Sequence, residues 1–507
     1  MVNRTPTKSD RPRQRTDRPG RARRWLFRLT AVLLGLSSLL VVEGFCIVLD
    51  LGRPELHDDP FVGFRSVRPL FVLNESGASY EIPKARQHYF RPQSFAAKKP
   101  AGEFRVFCLG GSTVQGRPFA VETSFTTWLE ISLQAADPSR SWRVVNCGGV
   151  SYASYRLTTI LEEVLTYQPD LIVLYTGHNE FLEDRSFDHI KNRSELLSTT
   201  IDGALRLRSF TLMREAYLRM RGISSHDPPE GRPLLPTEVE ALLDGAGGLE
   251  KYDRDEDWQR GVIAQFRFNV QRMVRLADDA GVDIVLVNPV SNIRDTPPFK
   301  SQHRDDLSAD ELSQWKSLCA AARQHLEGDV YDAQEAAKLF EQACRIDSLY
   351  AGTFYTLGHC YLAMGKVDLA RAALLRAKEL DVCPLRILTT MNEALSEIAE
   401  STDTPLVDAQ ALFEQESPDG IVGAHWLVDH VHPSITGHQL LADALADRLA
   451  SLGLVVPRAD WRTEKLRLYR KHRESLDEIY FLRGSKRLEA VNRWARGRVE
   501  APIEGEK

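Results

Sequence analysis

Three short stretches carry residue types able to attack a carbonyl carbon and move a proton. Gly110-Gly111-Ser112-Thr113 presents a hydroxyl on a turn that glycine permits, Thr176-Gly177-His178-Asn179-Glu180 offers an amide, and Asp429-His430-Val431-His432-Pro433 sets a carboxylate three residues before an imidazole. An Asp at that spacing can hold the Nδ1–H of its His, leaving Nε2 free to take a serine proton. Ser112, Asp429 and His432 then supply nucleophile, orienting acid and base. The Asn179 amide is a donor for a developing oxyanion, a contact worth about 3–4 kcal/mol in the transition state. A phosphate-cradling loop is the competing chemistry for Gly110-Gly111-Ser112. It lacks a Gly-x-x-x-x-Gly-Lys, however, and Gly110, Gly111 and Gly116 do not fall as Gly-x-Gly-x-x-Gly. His425, Asp429, His430, His432 and His438 crowd together, but beyond the Asp-His pair they keep no ligand spacing, so neither metal nor cofactor is expected.

Groups this far apart in sequence need a scaffold that returns them to one place. Apolar runs at 104–109, 143–146, 170–175 and 282–288 read as buried strands, and helix-period segments such as 121–135, 154–167 and 260–279 alternate with them. Strands alternating with helices imply a parallel α/β sheet, whose carboxyl edge is where such proteins bind ligands. Ser112 and Asn179 each follow a strand directly. A fifth run at 405–408 returns only after a long helical detour, so the sheet is interrupted by an insertion.

The insertion repeats itself. Ala336, Phe340, Ala343, Ile346 and Asp347 recur 34 residues later as Ala370, Leu374, Ala377, Leu380 and Asp381. Alanines let neighbouring helices approach while Phe and Leu fill the gap between them. The period resembles that of tetratricopeptide repeats, about two of them across 315–384. Because Ser112, Asp429 and His432 lie outside this span, the repeats read as a platform for a substrate or a protein partner.

At the N-terminus, residues 1–28 hold nine arginines and Lys8 against Asp10 and Asp17, a basic arm too polar to fold alone. Residues 29–49 follow as 21 mostly apolar positions broken by a single charge, Glu43, long enough to span the roughly 30 Å hydrocarbon core. One transmembrane helix is expected, with the arginines cytoplasmic and residue 50 onward on the periplasmic or cell-surface side. The remaining organisation is a 50–102 irregular linker, an α/β domain over 103–300 and 401–455, a helical insertion over 301–400, and a charged helical tail over 456–507. A formal net charge of −5 over 507 residues gives nucleic acid no footing as a partner.

Taken in order, the three motifs resemble the blocks of the SGNH (GDSL-type) hydrolases. Gly110-Gly111-Ser112 stands where that family has Gly-Asp-Ser, with Gly111 for the aspartate; Gly177-His178-Asn179-Glu180 matches Gly-x-Asn-Asp; Asp429 to Pro433 matches Asp-x-x-His-Pro. The resemblance covers roughly 103–185, 280–295 and 403–452, and implies a flavodoxin-like three-layer sandwich. It also implies an oxyanion hole of Ser112 N–H, Asn179 and a second-block N–H, on Ser151 or alternatively Gly149. His178, Glu180, Asn292 and Arg294 lie at strand ends where they could touch substrate. The implied function is a membrane-anchored serine esterase on ester bonds, with O-acetylated surface polysaccharide as the expected substrate class. An O-acyltransferase using the same three residues, or a silent scaffold acting through its repeats, is the alternative.

Overall fold

The computed structural model divides into two compact units, residues 1–58 with 192–229 and residues 59–191 with 230–507. It describes Thr30, Ser37, 40–49, 51 and 207–220 of the smaller, and 62–64, 67–183, 234–236, 238–244, 248–327 and 331–496 of the larger.

In the smaller unit residues 40–48 are helical, and a second helix spans Arg208–Met220. The leading N–H groups of that helix, on Arg208 and Ser209, donate to the Glu43 carboxylate at 2.7 and 3.0 Å. This is the use a helix start has for an acid. Leu40, Val41, Phe45 and Val48 are exposed. Among the described residues no helix is long and apolar enough to cross a membrane. Residues 29, 31–36, 38 and 39 of the span expected at 29–49, and the arm 1–28, lie outside the described residues.

The larger unit is built on five parallel strands: β5 (Glu103–Gly110), β6 (Ser141–Gly148), β7 (Leu171–Tyr175), β9 (Asp283–Val287) and β10 (Leu406–Val407). Their order across the sheet is β10-β9-β7-β5-β6. Numbered within the sheet this is 2-1-3-4-5, the flavodoxin-like order, whose ligand crevice opens between the first and third strands. Here those are β5 and β7, in register from Val106 opposite Leu171 to Gly110 opposite Tyr175.

Alternation along the strands divides the core into two layers. Phe107 and Leu109, with Ile172, Leu174 and Leu286, face α3 (Ser154–Val164), α4 (Glu256–Asp279) and α9 (Thr389–Thr402). Val106 and Cys108, with Val173, Tyr175 and Val287, face α2 (Phe125–Ala136) and α11 (Ile435–Ser451). Side-chain caps start these helices where the sequence offers them: Ser124 accepts from Thr126 N–H, Asp255 from Trp258 N–H, and Ser434 from Gly437 N–H.

The stretch expected as a linker is, over 67–102, part of this body. Short strands β2 (Val72–Leu73), β3 (Ser79–Glu81) and β4 (Ser94–Ala96) form an antiparallel sheet that buries Phe71 and Phe95 in the first core layer. It is tied down by Glu163, which accepts from Leu70 and Phe71 N–H at 2.6 and 2.8 Å, and by buried Arg105, which donates to Ala96 O. Outside it, β1 (Gly63–Phe64) pairs in parallel with β8 (Leu234–Leu235).

The insertion is helical: α5 (Ala309–Glu327), α6 (Ala333–Ile346), α7 (Ala351–Ala363) and α8 (Val367–Glu379) precede α9. Ala336, Ala343, Ala370, Phe340 and Leu374 are buried in a shared core that also takes in Ile293 and Ile421. Gly358 is needed where α7 meets α8, since a Cβ there would come within 2.7 Å of Leu374 Cγ.

The C-terminal helices are docked to the domain. In α12 (Trp461–Glu474) the Tyr469 hydroxyl lies 2.7 Å from Ser132 Oγ, and in α13 (Glu478–Arg496) that of Tyr480 lies 2.7 Å from Thr123 Oγ1. Gly484 sits flat on Phe119, whose ring would be 2.0 Å from a Cβ. Gly484→Ala should therefore destabilise by about 1–3 kcal/mol, seen as a lower thermal midpoint and faster proteolytic release of α13. An unchanged midpoint would show that Phe119 moves aside freely.

Candidate active site

Ser112 opens a one-turn helix, α1 (Ser112–Gln115), immediately after β5. The turn is tight because Gly110 and Gly111 have neighbours where side chains would be. A Cβ on Gly110 would lie 2.1 Å from Tyr175 O, and one on Gly111 would lie 2.4 Å from Asn179 Nδ2. Glycine at 111 is what lets the Asn179 amide come up against the serine turn.

The loop before α11 carries Asp429 and His432. His432 Nε2 lies 2.7 Å from Ser112 Oγ, and His432 Nδ1 lies 2.6 Å from Asp429 Oδ2. The other Asp429 oxygen accepts from the N–H groups of Val431 and His432 at 2.9 and 2.8 Å. Burial alone would raise the Asp429 pKa. The imidazoles of His432 and His430 and these hydrogen bonds outweigh it, so the carboxyl stays well below its usual range. The loop is closed by Val428 N–H donating to His432 O at 2.9 Å and by a bridge between Leu427 and Pro433.

Beyond β6 the chain passes close under the serine turn. Gly149 N–H donates to Gly110 O at 3.0 Å and Val150 N–H to Tyr89 O at 2.9 Å. Ser151 N–H makes no hydrogen bond among the described residues, and Ser151 has φ 64°, a left-handed conformation that favours glycine. Of the two second-block candidates, the Gly149 donor is thus already engaged and the Ser151 donor is available. Asn179 Nδ2 donates one hydrogen to Tyr152 O at 2.9 Å, which leaves its second amide hydrogen.

The four residues expected as possible substrate contacts each make contacts within the fold. His178 is buried, its Nδ1 accepting from Ile387 N–H at 3.1 Å; its Nε2 is enclosed and has no hydrogen-bond partner among the described residues. Burial, and then the neighbouring His430 and His432, push its pKa well below the ordinary value. Glu180 is fully buried and accepts from Ser154 N–H and Oγ–H, both at 2.8 Å, at the start of α3. Asn292 braces the acid–base loop: its N–H donates to His430 O at 3.0 Å and its Nδ2 to Asp429 O at 3.2 Å. Arg294 pairs with Asp419 at 3.1 Å. Arg386 and Lys378 belong to no motif: they are buried charges at the end of the insertion, where Arg386, together with the repeat residue Asp381, reaches the 292–300 loop. The signal of Arg386 is a charge within the apolar run 380–388.

No family model and no curated protein matches the chain. Among solved structures it is similar to the acetylxylan esterase Axe2 of Geobacillus stearothermophilus, at 14% identity over 68% of this chain and 94% of that one, with a TM-score of 0.31. A lipase/acylhydrolase of Enterococcus faecalis is similar at 12% identity over 70% and 98%, TM-score 0.31. LAE5, an α/β hydrolase from the metagenome of Lake Arreo, Spain, stands at 12% over 70% and 97%, TM-score 0.30. Likeness this slight assigns neither family nor activity.

The buried histidines around His432 make stability pH-dependent. Burial holds His430 down to about 4 and His438 down to about 3, from an ordinary 6.5. Between pH 6.5 and about 4 the unfolded chain therefore binds protons that the folded one refuses. The stabilisation is complete above 6.5 and declines as pH falls through that window. The urea midpoint should be lower at pH 5 than at pH 7.5, and His438→Gln should flatten the slope. A midpoint flat over that range would contradict the neutral-histidine assignment.

Proposed function

We propose that the chain is a serine esterase, and the observation that carries the proposal is the continuous hydrogen-bonded line Asp429–His432–Ser112. Ser112 Oγ attacks the carbonyl carbon of an ester while its proton passes to His432 Nε2, and the imidazolium is steadied by the Asp429 carboxylate at Nδ1. Negative charge develops on the former carbonyl oxygen, where Ser112 N–H, Ser151 N–H and the free hydrogen of Asn179 Nδ2 are the donors. The tetrahedral intermediate collapses as His432 returns the proton to the leaving alkoxide, releasing the alcohol and leaving an acyl group on Ser112. Water then repeats the sequence, with His432 as base, and frees the acid. An acceptor alcohol in place of water would make the same site a transferase, which product analysis distinguishes.

Support for an extracytoplasmic setting comes from the arginine-rich arm ahead of the apolar 29–49 stretch. The resemblance to SGNH hydrolases supports O-acetyl groups of a surface polysaccharide as the ester, and the 34-residue repeat supports a tetratricopeptide-like insertion able to hold a partner.

Ser112→Ala and His432→Ala should each abolish nearly all turnover of p-nitrophenyl acetate, because nucleophile and base act as a unit and their losses do not add. Asn179→Ala should cost about 10²–10³-fold in kcat while fluorophosphonate labelling of Ser112 continues. Asp429→Asn should fall between these. Full turnover in Ser112→Ala would end the serine reading. For topology, a reporter active only outside the cytoplasm, fused after residue 60, should give signal; silence from it, with a cytoplasmic reporter active, would reverse the orientation.

A further inference from the structure

We infer that the helical insertion is a working part of the Ser112 site, with Arg386 acting through Asn292 as a positioning residue for Asp429 and His432. The inference rests on the serine reading above. Arg386 lies in the 380–388 turn between α8 and α9, and its side chain is 2% exposed. Its Nη1 donates to Asn292 O at 3.0 Å and to Thr296 O at 2.8 Å, and its Nη2 reaches Asp381 Oδ2 at 3.3 Å. Asp381 in turn accepts from Phe299 N–H, Lys300 N–H and Cys383 N–H at 2.8, 3.0 and 3.1 Å. The end of the insertion is thus laced to the 292–300 loop by one buried acid and one buried base.

That loop is the one holding the acid–base turn. Asn292 accepts from Arg386 at its carbonyl and donates, from N–H and Nδ2, to the carbonyls of His430 and Asp429. One residue therefore separates the guanidinium from the two peptides that flank His430. The same turn also reaches the amide side of the site. Ile387 N–H donates to His178 Nδ1, Lys378 Nζ donates to Ile387 O at 2.8 Å, and the Ile387 Cδ1 fills the space a Cβ on Gly177 would need, at 2.4 Å.

A fully buried ion pair is weak ground for net stability, since desolvation offsets attraction. What a planar guanidinium does better than any apolar replacement is fix several acceptors in one geometry. Here two of the acceptors lie on the 292–300 loop that braces the Asp429 turn and the third on the turn of Arg386 itself, and a misplacement of about 1 Å near reacting groups can cost about 10²-fold.

The test uses the full-length protein. Arg386→Met and Asn292→Ala are compared with wild type and Arg386→Lys by circular dichroism, by kcat and KM on p-nitrophenyl acetate, and by the pH dependence of fluorophosphonate labelling. Folded Arg386→Met should lose about tenfold or more in kcat with KM within about threefold, and its acid limb of labelling should move to lower pH as the imidazolium loses support. Arg386→Lys should recover part of kcat, and Asn292→Ala should change in the same direction as Arg386→Met. Should Arg386→Met fail to fold, Asn292→Ala decides. Wild-type kcat and an unmoved acid limb in the folded variants, even with a lower melting temperature, overturn the positioning role while Ser112 labelling stands. Labelling that survives Ser112→Ala, or an unlabelled wild-type protein, instead overturns the serine reading and this inference with it.

Discussion

A carboxylate almost cut off from water has to stay ionised at the edge of a parallel sheet, and the architecture around the site follows from that. Asp429 is 8% exposed, and burying a charge without partners would cost several kcal/mol. Its oxygens are met by two backbone N–H groups of its own turn and by His432. Those partners serve only while the turn keeps its shape. The Leu427–Pro433 bridge closes the turn from within, and Asn292 grips its outward carbonyls. Pro433 and the Ser434 cap then start α11 at once, so the turn is clamped between a helix and a loop.

The nucleophile side meets a steric constraint. Three strand-end loops converge on Ser112, and they can do so only where side chains are missing. Gly110 and Gly111 admit Tyr175 O and the Asn179 amide, while Gly149 admits the rings of Phe90 and Tyr152. Ser151 is the exception, a residue with a Cβ held at φ 64°, a strain of about 1–3 kcal/mol for a non-glycine. Its N–H makes no hydrogen bond among the described residues, so the strained residue and an available donor coincide.

The parts of this arrangement legible in the sequence are those whose chemistry is local. Asp429 and His432 are three apart, Ser112 sits in a glycine turn after an apolar run, and five such runs separated by helix periods already give a parallel sheet. Contacts between distant segments leave no such trace. Glu180 reads as a possible substrate contact because its partner, the start of α3, is 26 positions away. The β2–β4 sheet is missed because strands of two or three residues carry no period. The C-terminal helices read as a charged tail because their anchors, Tyr469 and Tyr480, are single aromatics among basic residues. Arg386 escapes notice for the same reason: two of its acceptors, Asn292 O and Thr296 O, are 94 and 90 positions away.

Four histidines crowd the site, yet among them only His432 faces a serine hydroxyl, its Nε2 lying 2.7 Å from Ser112 Oγ. His178 and His438 each accept a backbone N–H at Nδ1, from Ile387 and from Phe125 at 3.2 Å, which makes both the Nε2–H tautomer. His430 stands 3.7 Å from Asp429, beyond hydrogen-bond range, with Phe299 edge-on against its ring. Burial keeps all three neutral. His432 alone has a carboxylate at 2.6 Å from Nδ1, which fixes the proton on that nitrogen and turns the Nε2 lone pair toward the hydroxyl. The surrounding imidazoles contribute bulk without adding charge beside His432. Tautomer, set by what each Nδ1 touches, therefore separates His432 from its neighbours more sharply than residue type could.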